Sequence, residues 1–198
     1  MFDFVKKSVR IYVSLKMVGG YMKKIIFIEG LPNVGKTYLV NKIKEKKLKN
    51  IFIVDELINP DVKNPFTDDE KVFLRNDELK VNKYNSGTII IDRGPISTLV
   101  YNQVNHIINN NYDAKLVEKW FEQFIKLYDS DNIYNYYLYN PNIYIPSLND
   151  KSNPFGSVDN LRLTHALTVY NLKKYAKHFK IITYTKSNIE EVIDEIIN

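Results

Sequence analysis

The octet Gly30-Leu31-Pro32-Asn33-Val34-Gly35-Lys36-Thr37 constrains this chain more than any other stretch. It fits G-x-x-x-x-G-K-[ST] at every fixed position. It follows the apolar run Ile25-Ile26-Phe27-Ile28 and precedes a helix-like segment, the strand–loop–helix context that gives the motif its meaning. The spacing has a physical reason. Gly30 and Gly35 permit backbone conformations that a Cβ blocks, so successive N–H groups can turn toward phosphate oxygens. A helix starting near Gly35 aims the positive end of its dipole at the same anion. Lys36 can reach the outer phosphates as a point charge, and the Thr37 hydroxyl can hold Mg²⁺. The octet reads as a phosphate-binding loop, with Gly30, Asn33, Val34, Gly35, Lys36, Thr37 and Tyr38 as its contacts.

A chain of 198 residues suits one α/β domain with a full core. No apolar run approaches the roughly 18 residues of a membrane span, so no membrane partner is expected. The sequence has no cysteine, which removes disulfides, thiolate metal sites and a cysteine nucleophile and fits a reducing, cytoplasmic setting. Its formal charge of +5 is nearly all lysine, with only Arg10, Arg75, Arg93 and Arg162 as arginines. The richness in Lys, Asn, Ile and Tyr reads as compositional bias, and residues 42–49 as a solvated helix face. Nucleic acid is therefore not the expected partner. Such sparse arginine draws attention to Arg75 and Arg93.

Residues 1–21 mix Lys6, Lys7, Arg10 and Lys16 with apolar side chains and read as a dispensable extension. Met22 then stands just before the first strand, and the domain covers 22–198. A helix is expected over 35–47 with Val34, Tyr38, Leu39 and Ile43 inward. Residues 51–54 read as a buried strand ending in Asp55-Glu56. Residues 67–70 read as a capping signal for a helix to about 83. Residues 88–91 form a third strand running into Asp92-Arg93-Gly94-Pro95, and Pro95 suits the first turn of a helix to about 108. Asp113 caps a helix to about 127 that buries Leu116, Trp120, Phe124 and Leu127. The fourth strand is either 134–139 or 142–145, since Pro141 and Pro146 exclude a single one. Residues 148–160 read as a lid-like loop, 161–178 as a helix, 180–184 as a fifth strand and 189–197 as a terminal helix. Short apolar strands alternating with helices imply α/β architecture: a P-loop three-layer sandwich, with a five-stranded parallel sheet and helices on both faces. Ligands then bind beyond the carboxyl ends of the strands.

The third strand ends in an acid, and an acid there can face the metal opposite Thr37. Asp92 and Thr37 are thus the expected metal pair. Arg93 offers a planar fork for a phosphate. Glu56, and less so Asp55, could accept a proton from an attacking hydroxyl.

Residues 27–37 together with Ile91-Asp92-Arg93-Gly94-Pro95-Ile96-Ser97 and Val100-Tyr101-Asn102 resemble the thymidylate kinase and deoxynucleoside kinase group of P-loop kinases. That resemblance implies ATP as donor, Mg²⁺ as cofactor, and a small-molecule nucleoside or nucleotide as acceptor, with a homodimer as one assembly. By it Lys36, Asp92, Arg93 and Glu56 would be catalytic, Tyr101 and Asn102 would approach the acceptor's sugar or base, and Phe73 would stack on the base with Arg75 nearby. There are departures. The family's helix carries an arginine one turn after the phenylalanine, and position 77 is Asp; the expected lid over 148–160 has no arginine, only Lys151.

Three other classes fit these residues less well. A GTPase needs a carboxylate after the fifth strand, and Thr185-Lys186-Ser187-Asn188 lacks it. A polynucleotide 5′-kinase should show a basic, aromatic groove. An inactive nucleotide-binding module conflicts with intact Lys36, Thr37 and Asp92. His106, His165 and His178 show no ligand spacing, so no zinc site is expected.

Overall fold

The structure is a computed structural model that describes residues 23–63, 70–109, 113–144 and 157–198. The extension over 1–21, the capping residues 67–69 and the lid residues 148–156 lie outside that set. Five strands alternate with six helices among the described residues: β1 (Lys24–Gly30), α1 (Lys36–Glu45), β2 (Ile51–Val54), α2 (Glu70–Asn82), β3 (Thr88–Asp92), α3 (Pro95–Asn109), α4 (Ala114–Tyr128), β4 (Ile133–Tyr139), α5 (Val158–Tyr175), β5 (His178–Thr183) and α6 (Ile189–Ile197). All neighbouring strands pair in parallel, in the order β2-β3-β1-β4-β5.

The unbroken apolar runs of β1 and β3 follow from this layering. Ile25, Phe27, Ile89, Ile91 and Tyr137 face a core built with α2, α3, α4 and α5. Ile26, Ile28, Ile90 and Leu138 face a second core built with α1 and α6. Strands buried on both faces need apolar side chains at successive positions rather than at alternate ones. Strands β3 and β4 lie on opposite sides of β1, so the sheet's topological switch point falls at the carboxyl end of β1, where a crevice opens. The octet of residues 30–37 leaves β1 at that point. No helix among the described residues is long and apolar enough to cross a membrane.

Several boundaries and faces differ from the sequence reading. Tyr38 is 45% exposed, with the Lys42 ammonium 5.8 Å from its ring, while Leu39, Val40 and Ile43 point inward. On α4 Leu116 is 36% exposed, and Val117, Phe121, Phe124, Leu127 and Tyr128 form the buried stripe. The Asp113 cap is as expected, its carboxylate accepting from Leu116 N at 3.1 Å. The fourth strand is the earlier alternative, and residues 141–144 make a 3₁₀ turn. Helix α5 starts at Val158, where Ser157 Oγ accepts from Asn160 N at 3.1 Å, so the end of the expected loop is helical. It stops at Tyr175 because Ala176 is extended (φ −86°, ψ 121°) and the chain joins the sheet at His178, opposite Tyr134. No Gly or Pro marks that stop; the strand pairing decides it.

Candidate active site

The loop conformation requires its glycines. Gly30 has φ 150° and Gly35 φ 100°; a Cβ on Gly30 would sit 2.8 Å from the Leu138 carbonyl oxygen, and one on Gly35 2.8 Å from Tyr184 Cε1. Asn33 holds φ 61°, a left-handed conformation that asparagine tolerates. Lys36 is buried and curls back over the loop, donating to Leu31 O at 2.8 Å and Gly30 O at 3.1 Å. Burial draws its pKa down to about 7, and the Arg93 charge acts in the same direction against the carboxylates of Asp92, Glu56 and Glu29.

Thr37 Oγ1 donates to Asp92 Oδ2 at 2.9 Å. The two come from the start of α1 and the end of β3, brought together because Ile28 pairs with Asp92 across the β1–β3 ladder. Burial raises the Asp92 pKa, Glu56 pushes it the same way, and Lys36 and Arg93 oppose. Asp92 Oδ1 is buried with no hydrogen-bond partner among the described residues. A hard oxygen left unpaired beside a threonine hydroxyl fits a Mg²⁺ ion, which takes one or two protein oxygens and keeps water and phosphate for the rest.

Arg93 follows in a left-handed conformation, φ 60°. Its amide donates to Ile28 O at 3.1 Å and its guanidinium donates to Gly30 O at 3.0 Å. Nε lies 2.6 Å from Glu56 Oε1, and Cζ lies 5.1 Å from the Tyr101 ring centre. Burial works against this charge, but Tyr101 and the carboxylates of Glu56, Asp92 and Glu29 outweigh it, so Arg93 stays protonated. Burial pushes the Tyr101 hydroxyl up to about 12. Glu56 is half-exposed, so one end of the pair reaches solvent.

The sequence matches no protein-family model, and no curated protein is significantly similar to it. Solved structures do resemble it. Thymidylate kinase from Candida albicans aligns with a TM-score of 0.58 at 16% identity over 87% of this chain and 88% of that one. Thymidylate kinase from Ehrlichia chaffeensis aligns with 0.57 at 16% over 88% and 97%. The YorR protein of Bacillus subtilis, in complex with phosphorylated GDP, aligns with 0.55 at 13% over 87% and 93%. The chain has the thymidylate kinase-like P-loop kinase fold.

Within this fold Lys36, Thr37, Asp92, Arg93, Glu56 and Tyr101 gather at the carboxyl end of the sheet. Asp55 does not join them; it is exposed, 4.0 Å from Lys44. Arg75 also faces away, its side chain 53% exposed and paired with Glu78 at 3.2 Å. Phe73 is half-buried on α2. Asn102 is buried on α3, donating to Thr98 O at 2.9 Å, with Oδ1 unpartnered among the described residues. Val34 packs into the α1 core and Tyr38 lies on the surface.

The sequence reading assigned no role to Glu29. Fully buried at the end of β1, it accepts from Gly94 N at 2.9 Å and from the Ser97 hydroxyl in a short bond, fixing the turn after Arg93. A glutamate ending a buried strand is the available signal, because a carboxylate is almost never buried without partners. Tyr128 was likewise missed as a polar partner: its hydroxyl oxygen accepts from Ile96 N at 3.1 Å at the start of α3.

Proposed function

We propose that this chain is an ATP-dependent phosphotransferase, thymidylate kinase-like, that phosphorylates a deoxynucleoside monophosphate or a deoxynucleoside. The observation that carries this reading is the 2.9 Å contact between Thr37 and Asp92, beside the loop lysine and within reach of the Arg93–Glu56 pair. Thr37 and Asp92 would hold Mg²⁺, which when bound would supply neutralisation of phosphate charge.

The chain's own residues would divide the work as follows. Loop amides and Lys36 hold the donor's outer phosphates, and Lys36 turns from the loop carbonyls to them. Arg93, charged and aligned by Glu56 and Tyr101, meets the acceptor oxygen and the transferring group. The acceptor oxygen attacks the γ-phosphorus, the bond to the β–γ bridging oxygen breaks, and ADP leaves. A hydroxyl acceptor surrenders its proton to Glu56, whereas a phosphate acceptor is already ionised and needs no base.

That difference yields a test within the reading. Glu56→Gln is expected to lower turnover about 10²-fold or more if the acceptor is a nucleoside and far less if it is a nucleotide; steady-state kinetics on each acceptor separates the two. The primary experiment is a panel of deoxynucleosides, their monophosphates and a 5′-hydroxyl oligonucleotide, each incubated with ATP and Mg²⁺. Transfer to a nucleoside or monophosphate is the expected result. Transfer to the oligonucleotide alone, or no ATP binding by calorimetry, overturns the proposal.

A further inference from the structure

Three polar residues within about one turn of α2 are buried: Asn76 (3% exposed), Asp77 (1%) and Lys80 (2%). Lys80 Nζ lies 2.6 Å from Asp77 Oδ1, and Asp77 Oδ2 accepts from the Thr98 hydroxyl at 2.6 Å. A buried ion pair of this kind is weak support for stability, since apolar side chains of similar volume often do as well or better. What distinguishes this pair is its third partner. Lys80 Nζ also donates to the Arg93 carbonyl oxygen at 2.8 Å.

The Arg93–Gly94 peptide is thereby gripped at both ends: its carbonyl by Lys80 from α2, and its N–H by Glu29 from β1 at 2.9 Å. Clamping the peptide plane fixes the ψ of Arg93, a residue that already holds a costly left-handed φ of 60°. The same helix holds the other half of the pair. Asn76 Nδ2 donates to Glu56 O at 2.9 Å, and Asn76 Oδ1 accepts from Ile58 N at 2.8 Å and Asn59 N at 3.0 Å. One helix turn thus sets both Glu56 and Arg93, whose side chains meet at 2.6 Å.

We infer that Lys80 and Asp77 are positioning residues, a charged strut through which α2 aims the Arg93 guanidinium at the phosphate loop. Asp77 is committed to this strut by its contacts with Lys80 and Thr98. The catalytic consequence rests on the phosphotransferase reading; the orientation of Arg93 does not.

The test is the double substitution Asp77→Leu with Lys80→Met, which removes both charges together. Two readouts apply. The first is the arginine Nε–Hε NMR spectrum, simple because the chain has four arginines, with the Arg93 signal assigned by its loss in Arg93→Lys. The wild type should show a slowly exchanging Arg93 Nε–H, and the double variant should lose that protection at a melting temperature within a few degrees of wild type. The second is turnover on whichever acceptor the panel identifies: kcat should fall about 30-fold with the KM for ATP unchanged. A purely structural pair predicts the opposite, a protected Arg93 and full kcat in a stably folded variant, and that result overturns the inference. Thr98→Val, a milder loss of the Asp77 partner, carries the same two readouts if the double variant fails to fold, with a severalfold fall in kcat expected and an unchanged kcat and spectrum overturning the strut. If the wild type transfers phosphate to no acceptor, the phosphotransferase reading falls, and the Arg93 signal still decides the strut.

Discussion

Replacing Lys36 by Ala is expected to lower phosphoryl transfer about 10³-fold or more without unfolding the protein. Lys36 is buried and bonded to the loop carbonyls of both Gly30 and Leu31. Its ammonium is held in a low-dielectric site that burial disfavours, as its lowered pKa of about 7 reflects. A donor there acts on developing phosphate charge with little screening, which makes its loss costly to turnover. The same burial means that removing the charge relieves a desolvation penalty. Thermal melting of Lys36→Ala should therefore stay at or above the wild-type midpoint while kcat collapses. Turnover and melting measured on one preparation separate the two effects, and retained turnover would remove the phosphotransferase reading.

The largest effect on stability is expected at Glu29, which touches no phosphate. Glu29→Leu leaves the Gly94 N–H and the Ser97 hydroxyl without their acceptor inside the core. At about 1–3 kcal/mol per stranded polar group, offset in part by the added apolar surface, the loss should be about 3 kcal/mol. For a domain of this size each kcal/mol moves the midpoint by about 2–4 °C, so a fall of about 10 °C is expected by calorimetry. Glu29→Gln keeps an acceptor for Gly94 and should cost much less. It also exposes a pH dependence. Burial raises the Glu29 pKa above its ordinary 4.5, against the bonds from Ser97 and Gly94 and the charges of Arg93 and Lys80. A carboxyl whose folded value is raised supports the fold fully below 4.5 and loses that support as pH climbs through the folded value. The stability of the wild type relative to Glu29→Gln should accordingly decline on raising pH through that window. A difference that stays flat with pH would contradict the buried-carboxyl account.

Much of the architecture could be read from periodicity and punctuation. Ile25 to Ile28 and Ile89 to Ile91 are apolar at successive positions, which only a strand covered on both faces requires, and the intervening helical stretches then force parallel crossovers. Pro95 and Asp113 mark helix starts at which the structure has them. The errors cluster where local pattern is silent. Which stripe of α1 or α4 turns inward depends on the angle at which each helix meets the sheet, so Tyr38 and Leu116 looked like core and lie at the surface. The end of α5 is set by the pairing of His178 with Tyr134, a contact far distant in sequence.

The site divides in the same way. By itself the sequence located the tight loop of residues 30–37, because its glycines, lysine and threonine lie within one short stretch and the conformations they require are local. It also named Asp92, Arg93 and Glu56, each at the end of a recognisable strand, since strand ends are where a parallel sheet opens to ligands. Only the tertiary structure decided that Thr37 and Asp92 meet, that Arg93 is paired with Glu56, that Arg75 faces away, and that Glu29, Asp77 and Lys80 are buried partners. The physical reason is that a charged side chain declares nothing about its burial until packing removes it from water; once it is removed, the hydrogen bonds it must make fix the residues around it.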